Sequence, residues 1–129
     1  MARLRATRPD EIDPERYYWT IAARAGRRVA VIDPVQAVPA HGVDGVQLFE
    51  WGLHDRAFDV QSEPPEFLEQ LRARYGDHPV RSCDHHGETV DGYRALRDGL
   101  LRGARTKAAF ASDLVATGRW DLFSCTFSE

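Results

Sequence analysis

The sequence predicts an α/β fold with a mainly parallel sheet and helices on both faces. Residues 14–32 form the pattern of a helix, a glycine turn and a continuous apolar strand, which is half of an α/β unit. An alternating segment at 46–52 precedes a second helical pattern at 65–75, and a long helical pattern at 89–116 leads to an apolar strand at 122–127. Such alternation of helices and strands is typical of parallel sheets.

The first helix is predicted over residues 14–25, with Asp13 as its N-cap and Pro14 at the first helical position. Gly26 ends it. Its apolar side chains recur at helical spacing and are expected to pack on a sheet: Tyr18, Ile21, Ala22 and Ala25. The apolar run at 29–32 then predicts a strand covered on both faces, stopped by Asp33 and Pro34.

The middle of the chain is predicted as a loop at 34–45, a strand within 46–52 and a helix at 65–75 that Gly76 ends. The long helical pattern at 89–116 contains Gly92, Gly99 and Gly103. Each glycine costs about 1 kcal/mol relative to alanine inside a helix, so the pattern allows a break or kink near residues 98–103.

The chain has 129 residues, enough for one domain that buries roughly two-thirds of its unfolded surface. Its 43% apolar and 29% charged residues and net charge of −3 are typical of a globular protein and exclude a disordered class. There is no basic excess for polymeric nucleic acid, no spanning apolar stretch and no secretory signal, so we predict a cytoplasmic protein without membrane partners. Residues 1–13 are predicted as a flexible N-terminal segment and 14–129 as the domain.

Two segments carry side chains capable of chemistry. Cys83, Asp84, His85 and His86 are adjacent, but no second group of ligands stands at metal-binding spacing, so a solvated loop is favoured over a metal site. "WGLHD" follows a predicted strand end, where binding residues are common. In it, Trp51, His54 and Asp55 either face a substrate or serve structure, with Trp51 covering the sheet and Asp55 capping a turn.

Asp33 also follows a strand, yet an Asp before Pro is an ordinary turn opener, and we favour that interpretation. No nucleophile elbow or glycine-rich phosphate loop is present in the sequence.

Several segments in order, "AGRRVAVIDP", "GVQLFEWGLHD", "FDVQSEPPEFLEQLRARYGDHPV", "LRDGLLRGARTKAAFASDLV" and "WDLFSCTFSE", resemble the middle portion of the type I phosphodiesterase/nucleotide pyrophosphatase family of the alkaline phosphatase superfamily. The resemblance runs from about residue 14 to residue 129. It implies an incomplete alkaline-phosphatase-like core and hydrolysis of small phosphoesters or phosphoanhydrides. Members of that family use two divalent metal ions, usually zinc, beside a Thr or Ser nucleophile.

No position matches the family's nucleophile or metal ligands, so the resemblance implies no catalytic or metal residue and no cofactor in this chain. It implies a fragment that is inactive alone, with the ligand-bearing segments before Met1 and after Glu129. It also favours a substrate-binding role for Trp51, His54 and Asp55, and places Glu129 at the border of the site. The alternative is a stand-alone α/β binding or regulatory module that self-associates through exposed sheet edges.

Overall fold

The structure, a computed structural model, describes residues 11–52, 58–80 and 89–129. These parts form three α-helices and a four-stranded sheet. The elements in chain order are α1 (Tyr18–Arg24), β1 (Val29–Ile32), β2 (Gly45–Phe49), β3 (Gln61–Glu63), α2 (Pro65–Tyr75), α3 (Val90–Thr117) and β4 (Leu122–Cys125). The strand order is β3-β2-β1-β4, with β1 parallel to β2 and β4, and β3 antiparallel to β2. The α/β class and the mainly parallel sheet are confirmed.

Strand β1 lies between β2 and β4, and all four of its residues are apolar and fully buried. Val29 pairs with Gly45 of β2 on one side and with Leu122 of β4 on the other, and the register continues along the strand. The carboxyl ends of the three parallel strands therefore lie at the same edge of the sheet.

Helices cover both faces of the sheet. Alternate residues of a strand point to opposite faces, so the apolar side chains of the inner strands contribute to two separate clusters. On one face, α1 packs over an apolar cluster whose buried members are Trp19, Val29, Val31, Ala37 and Phe49. On the other face, α2 and α3 contribute to a cluster whose buried members are Ile32, Leu48, Trp51, Leu68, Leu71, Phe110 and Ala111. The result is a three-layer arrangement with the sheet in the middle.

The first helix differs from its prediction. A 3₁₀ turn at Pro14–Arg16, capped by Asp13, is followed by one extended residue before α1 begins. Trp19 is buried and its indole N–H donates to the side-chain oxygen of Gln47, whereas Tyr18 and Ile21 stay 53% and 57% exposed. The predicted inward face is wrong for Tyr18, Ile21 and Ala25, which stay exposed because the larger Trp19 takes the inward direction, whereas Ala22 packs against the cluster as predicted.

The two later helices match their patterns closely. Helix α2 ends at Gly76, whose φ of 79° requires the left-handed conformation that glycine adopts easily. Helix α3 is unbroken through Gly99 and Gly103. A methyl group at Gly103 would lie 1.9 Å from His78 Nε2, so this glycine makes room for a neighbouring side chain and does not interrupt the helix.

The loop predicted before β2 is present, and β4 is shorter than its predicted strand. Strand β3 has no sequence signal, because its three residues are Gln, Ser and Glu and none is apolar. Within the described residues, no helix has both the length and the apolar character needed to cross a membrane.

Candidate functional site

Asp33 lies directly after β1, at the edge where the parallel strands end. Its side chain is fully buried and its φ of 51° places it in the left-handed region, which is uncommon for a residue other than glycine. Its carboxylate accepts the backbone N–H of Trp51 at 2.8 Å and that of Gly52 at 2.9 Å. Asp33 therefore ties the end of β1 to the segment that follows β2.

Lys107 extends from α3 into the same place and is also fully buried. Its ammonium nitrogen lies 2.9 Å from Asp33 Oδ2, 2.7 Å from Glu129 Oε1 and 3.0 Å from the carbonyl oxygen of Thr126. An ammonium has three N–H donors, so these three oxygens match its full capacity. Lys107 thus joins α3, the end of β1 and the segment after β4.

His78 and Trp51 complete the group. His78 Nε2 lies 3.6 Å from Glu129 Oε1, and its Nδ1 lies 2.8 Å from the carbonyl oxygen of Val80. The Trp51 ring contacts the His78 ring edge to face, with centroids 4.9 Å apart. We call Asp33, Lys107, Glu129, His78 and Trp51 the carboxyl-end cluster.

Glycine at position 52 is needed for this packing. A methyl group there would lie 2.6 Å from Glu129 Oε1 and 2.7 Å from Lys107 Nζ. Any larger side chain would push the ammonium away from its carboxylates. The backbone of Gly52 instead approaches closely enough to donate to Asp33 and to accept from the hydroxyl of Ser128 at 3.4 Å.

The charges of the cluster are already paired with one another. Two carboxylates face one ammonium in a region that water does not reach, and Asp33 accepts two backbone N–H groups as well. Such a buried pair is costly to disrupt, because removing one partner leaves the other charge in low dielectric. The arrangement holds loops in place, and the Lys107 ammonium has no N–H donor left for a substrate.

An open cleft of about 390 Å³ adjoins the cluster on the side of Trp51 and His78. Its other lining residues are Phe58, Asp59, Val60, Arg72 and Asp77. Arg72 Nε donates to Asp77 Oδ1 at 2.7 Å, so the guanidinium is held at the cleft by its neighbour. Trp51 reaches the cleft wall from the core, where its ring also contacts Phe110 at 5.1 Å.

The residues predicted for the site have different outcomes. Trp51 is fully buried beside the cleft, which fits its structural role and leaves its substrate role a prediction. His54 and Asp55 lie outside the described residues, as do residues 83–86 and residues 1–10 of the predicted N-terminal segment. Glu129, predicted at the border of a site, belongs to the cluster.

Asp33 corrects the preference for a turn opener, because its carboxylate is buried and ion-paired instead of capping an exposed turn. Lys107 is the residue that sequence analysis missed. It is the only lysine in a chain with sixteen arginines, and it stands on the same stripe of α3 as Phe110 and Ala111. A lone lysine on an apolar helical stripe is the signal that could have identified it.

Metal binding finds no support among the described side chains, where no three His, Cys, Asp or Glu residues are grouped to hold an ion. Cys125 is a free, half-buried thiol. Burial raises its pKa to about 11, because desolvation disfavours the thiolate more than the nearby Lys107 ammonium favours it. Cys125 is therefore a poor nucleophile at neutral pH.

No protein-family model, no curated protein and no solved structure matches this chain.

Proposed function

We propose that this chain is part of a metal-dependent phosphoester hydrolase of the alkaline phosphatase superfamily and forms one wall of its active site. The observation that carries the proposal is the carboxyl-end cluster. It joins the segments after β1, β2 and β4 at the edge where open α/β sheets bind their ligands. The ordered series of segments in the sequence supports the same family.

In this proposal the cluster is structural and the chemistry comes from elsewhere. Lys107 spends its three N–H donors on Asp33, Glu129 and the Thr126 carbonyl, and Asp33 is held by that ammonium and by two backbone N–H groups, so we assign both residues a structural role. The family's two divalent ions would activate a Thr or Ser hydroxyl and stabilise the oxygens that enter and leave phosphorus. Those groups lie outside these 129 residues, which are catalytically silent alone.

The substrate side of the wall is the cleft beside Trp51. The cleft is lined mainly by polar groups, among them the Arg72–Asp77 pair, and its aromatic and apolar side chains suit the organic part of a small phosphoester. His54 and Asp55 stand three and four residues after Trp51 in the sequence, and all three are proposed to contact the substrate. Side chains held in fixed positions along the cleft orient a substrate without taking part in proton transfer.

A hydrolysis assay tests the proposal. The purified chain is incubated with bis(p-nitrophenyl) phosphate in the presence of zinc or manganese, with and without a chelator. We expect no metal-dependent turnover. The genomic DNA on both sides of the reading frame should encode, in a compatible frame, an upstream strand followed by Thr or Ser and a downstream segment rich in His and Asp.

Two results would contradict the proposal. Chelator-sensitive turnover by the pure chain would mean that it carries its own nucleophile and metal ligands. Unrelated sequence on both sides of the reading frame would favour the second candidate, a stand-alone α/β binding or regulatory module. That candidate is favoured by one observation: β4 is the last strand of the described sheet and remains half-exposed along its whole length.

A further inference from the structure

Strand β4 has an outer edge whose backbone groups have no strand partner within the described sheet. On the inner edge, the N–H of Leu122 donates to Arg28 and that of Thr126 to Ile32. Successive residues of a strand alternate in the side to which their N–H and C=O groups point. The N–H and C=O groups of Phe123 and Cys125 therefore point outward, away from β1.

This edge lacks the features that keep natural edge strands from pairing. Residues 122–127, "LFSCTF", contain no charge, no proline and no glycine. Solitary edges are usually blocked by a lysine, a proline or a bulge, because a row of free N–H and C=O groups is a template for another strand. An unblocked edge of this composition indicates that a strand normally covers it.

Apolar side chains border the edge on both faces. The Tyr18 hydroxyl donates to Ser124 Oγ at 2.8 Å, which places the start of α1 beside β4, and the exposed Ile21 follows Tyr18 on the same side of the helix about one turn later. On the opposite face Phe127, just after β4, is 51% exposed. Together they form an apolar border around a hydrogen-bonding edge, a combination that suits association with another sheet.

We propose that the occupant of this edge is β4 of a second copy of the chain. A two-fold axis perpendicular to the sheet, midway between Ser124 and Ser124 of the second copy, sets Phe123 opposite Cys125 of the second copy in an antiparallel pair. Because both residues point their backbone N–H and C=O groups outward, each Phe123 can exchange two N–H···O=C hydrogen bonds with the Cys125 opposite it. The two-fold axis makes two such pairs. The edge is thus self-complementary, as a two-fold interface requires.

The same axis brings the two copies of α1 to the same face of a continuous eight-stranded sheet. Tyr18 and Ile21 then lose contact with water by packing against their counterparts, and the faces of the two sheets remain aligned. This inference concerns the 129-residue chain by itself and requires neither metal nor substrate; self-association is also what the stand-alone module predicts.

Sedimentation equilibrium and backbone hydrogen exchange test the inference together over a wide range of protein concentration. We expect a monomer–dimer equilibrium in which the Phe123 and Cys125 amides become protected as the dimer forms. The Leu122 and Thr126 amides, bonded to β1, should be protected in both states. Ile21→Lys should raise the dimer Kd by about tenfold or more, since it sets like charges against each other at the interface.

The matched control is Val90→Lys, which places the same charge on an equally exposed apolar residue at the start of α3. It should leave the dimer Kd unchanged. A chain that stays monomeric at every concentration would overturn the inference. A dimer whose Phe123 and Cys125 amides exchange as freely as those of the monomer would overturn it too, because the copies would then associate elsewhere.

Discussion

Replacing Lys107 with methionine tests whether the carboxyl-end cluster holds the fold together. Methionine keeps much of the aliphatic length of lysine but has no ammonium. The substitution therefore removes the donor to Asp33, to Glu129 and to the Thr126 carbonyl while changing the packed volume little. Two carboxylates would then remain buried without their cation.

The size of the effect follows from what each partner keeps. Breaking a buried ion pair by removing one partner costs about 3–5 kcal/mol. Asp33 would retain two backbone N–H donors, and Glu129 would retain the N–H of Ser128, so we expect the lower end, about 3 kcal/mol. For a chain of this size, whose total stability is about 6–19 kcal/mol, that loss is about a sixth to a half, and it should lower Tm by about 10 °C.

Urea unfolding followed by tryptophan fluorescence measures the free energy of unfolding of the variant. Arg105→Met is the control, because Arg105 is an exposed cation on the same helix and its loss changes the net charge equally. The control should cost less than about 1 kcal/mol. The double variant Asp33→Asn, Lys107→Met should recover part of the loss, since a neutral side chain replaces an unpaired charge.

A Lys107→Met protein as stable as the Arg105→Met control would refute the role assigned to the cluster. Chemical labelling gives an independent check, because Lys107 is the only lysine in the chain. An amine-directed reagent should modify the native protein only at its N-terminus, and should reach Lys107 only on unfolding. Rapid labelling of Lys107 in the native protein would mean that the ammonium is accessible to solvent.

Three further predictions concern other buried groups. Gln47→Leu should lower the free energy of unfolding by about 2–4 kcal/mol in urea titrations. The Gln47 side-chain oxygen accepts hydrogen bonds from the Trp19 indole N–H and the Ala40 backbone N–H, and its NH₂ group donates to the Ala40 carbonyl. An unchanged free energy would mean that these groups find other partners. The free energy of unfolding should fall as pH rises from about 9 towards 11, because the raised pKa of Cys125 keeps its thiol protonated in the native state while the unfolded chain ionises. The urea midpoint of Cys125→Ala should fall less steeply over this pH range than that of the unsubstituted protein. Equal slopes for the two proteins would contradict this prediction. Gly103→Ala should destabilise the protein by about 1–3 kcal/mol and lower its Tm, despite the better helix propensity of alanine, because the methyl group would collide with His78. A higher Tm would show that the histidine moves aside.

The elements with strong local signals were predictable. The span of β1 follows from four consecutive apolar residues, and α2 runs from its proline to the residue before Gly76 as its pattern indicates. Strand β3 could not be found this way, because it is a strand only through its hydrogen bonds to β2. Its residues have no β preference of their own.

The candidate site was predictable only at its borders. Trp51 was singled out by its position after a predicted strand and Glu129 only by the family resemblance, whereas Asp33 was noted but interpreted as a turn residue. The sequence around Lys107 does not indicate its partners, because Asp33 and Glu129 lie far from it in the sequence. Only the packing of α3 against the end of the sheet brings the three charges together.

The amino-acid sequence by itself determined the approximate spans of β1, β2, α2 and α3, since hydrophobic period, caps and glycine stops act within a few residues. Tertiary structure alone decided the order of the strands, the inward direction of Trp19 in place of Tyr18, and the burial of the single lysine between two carboxylates. These depend on contacts between distant residues, and their free energy exists only once the sheet and both helical layers have assembled. The position of β4 at the edge of the described sheet is likewise decided by tertiary structure, because it depends on which strands pair with one another.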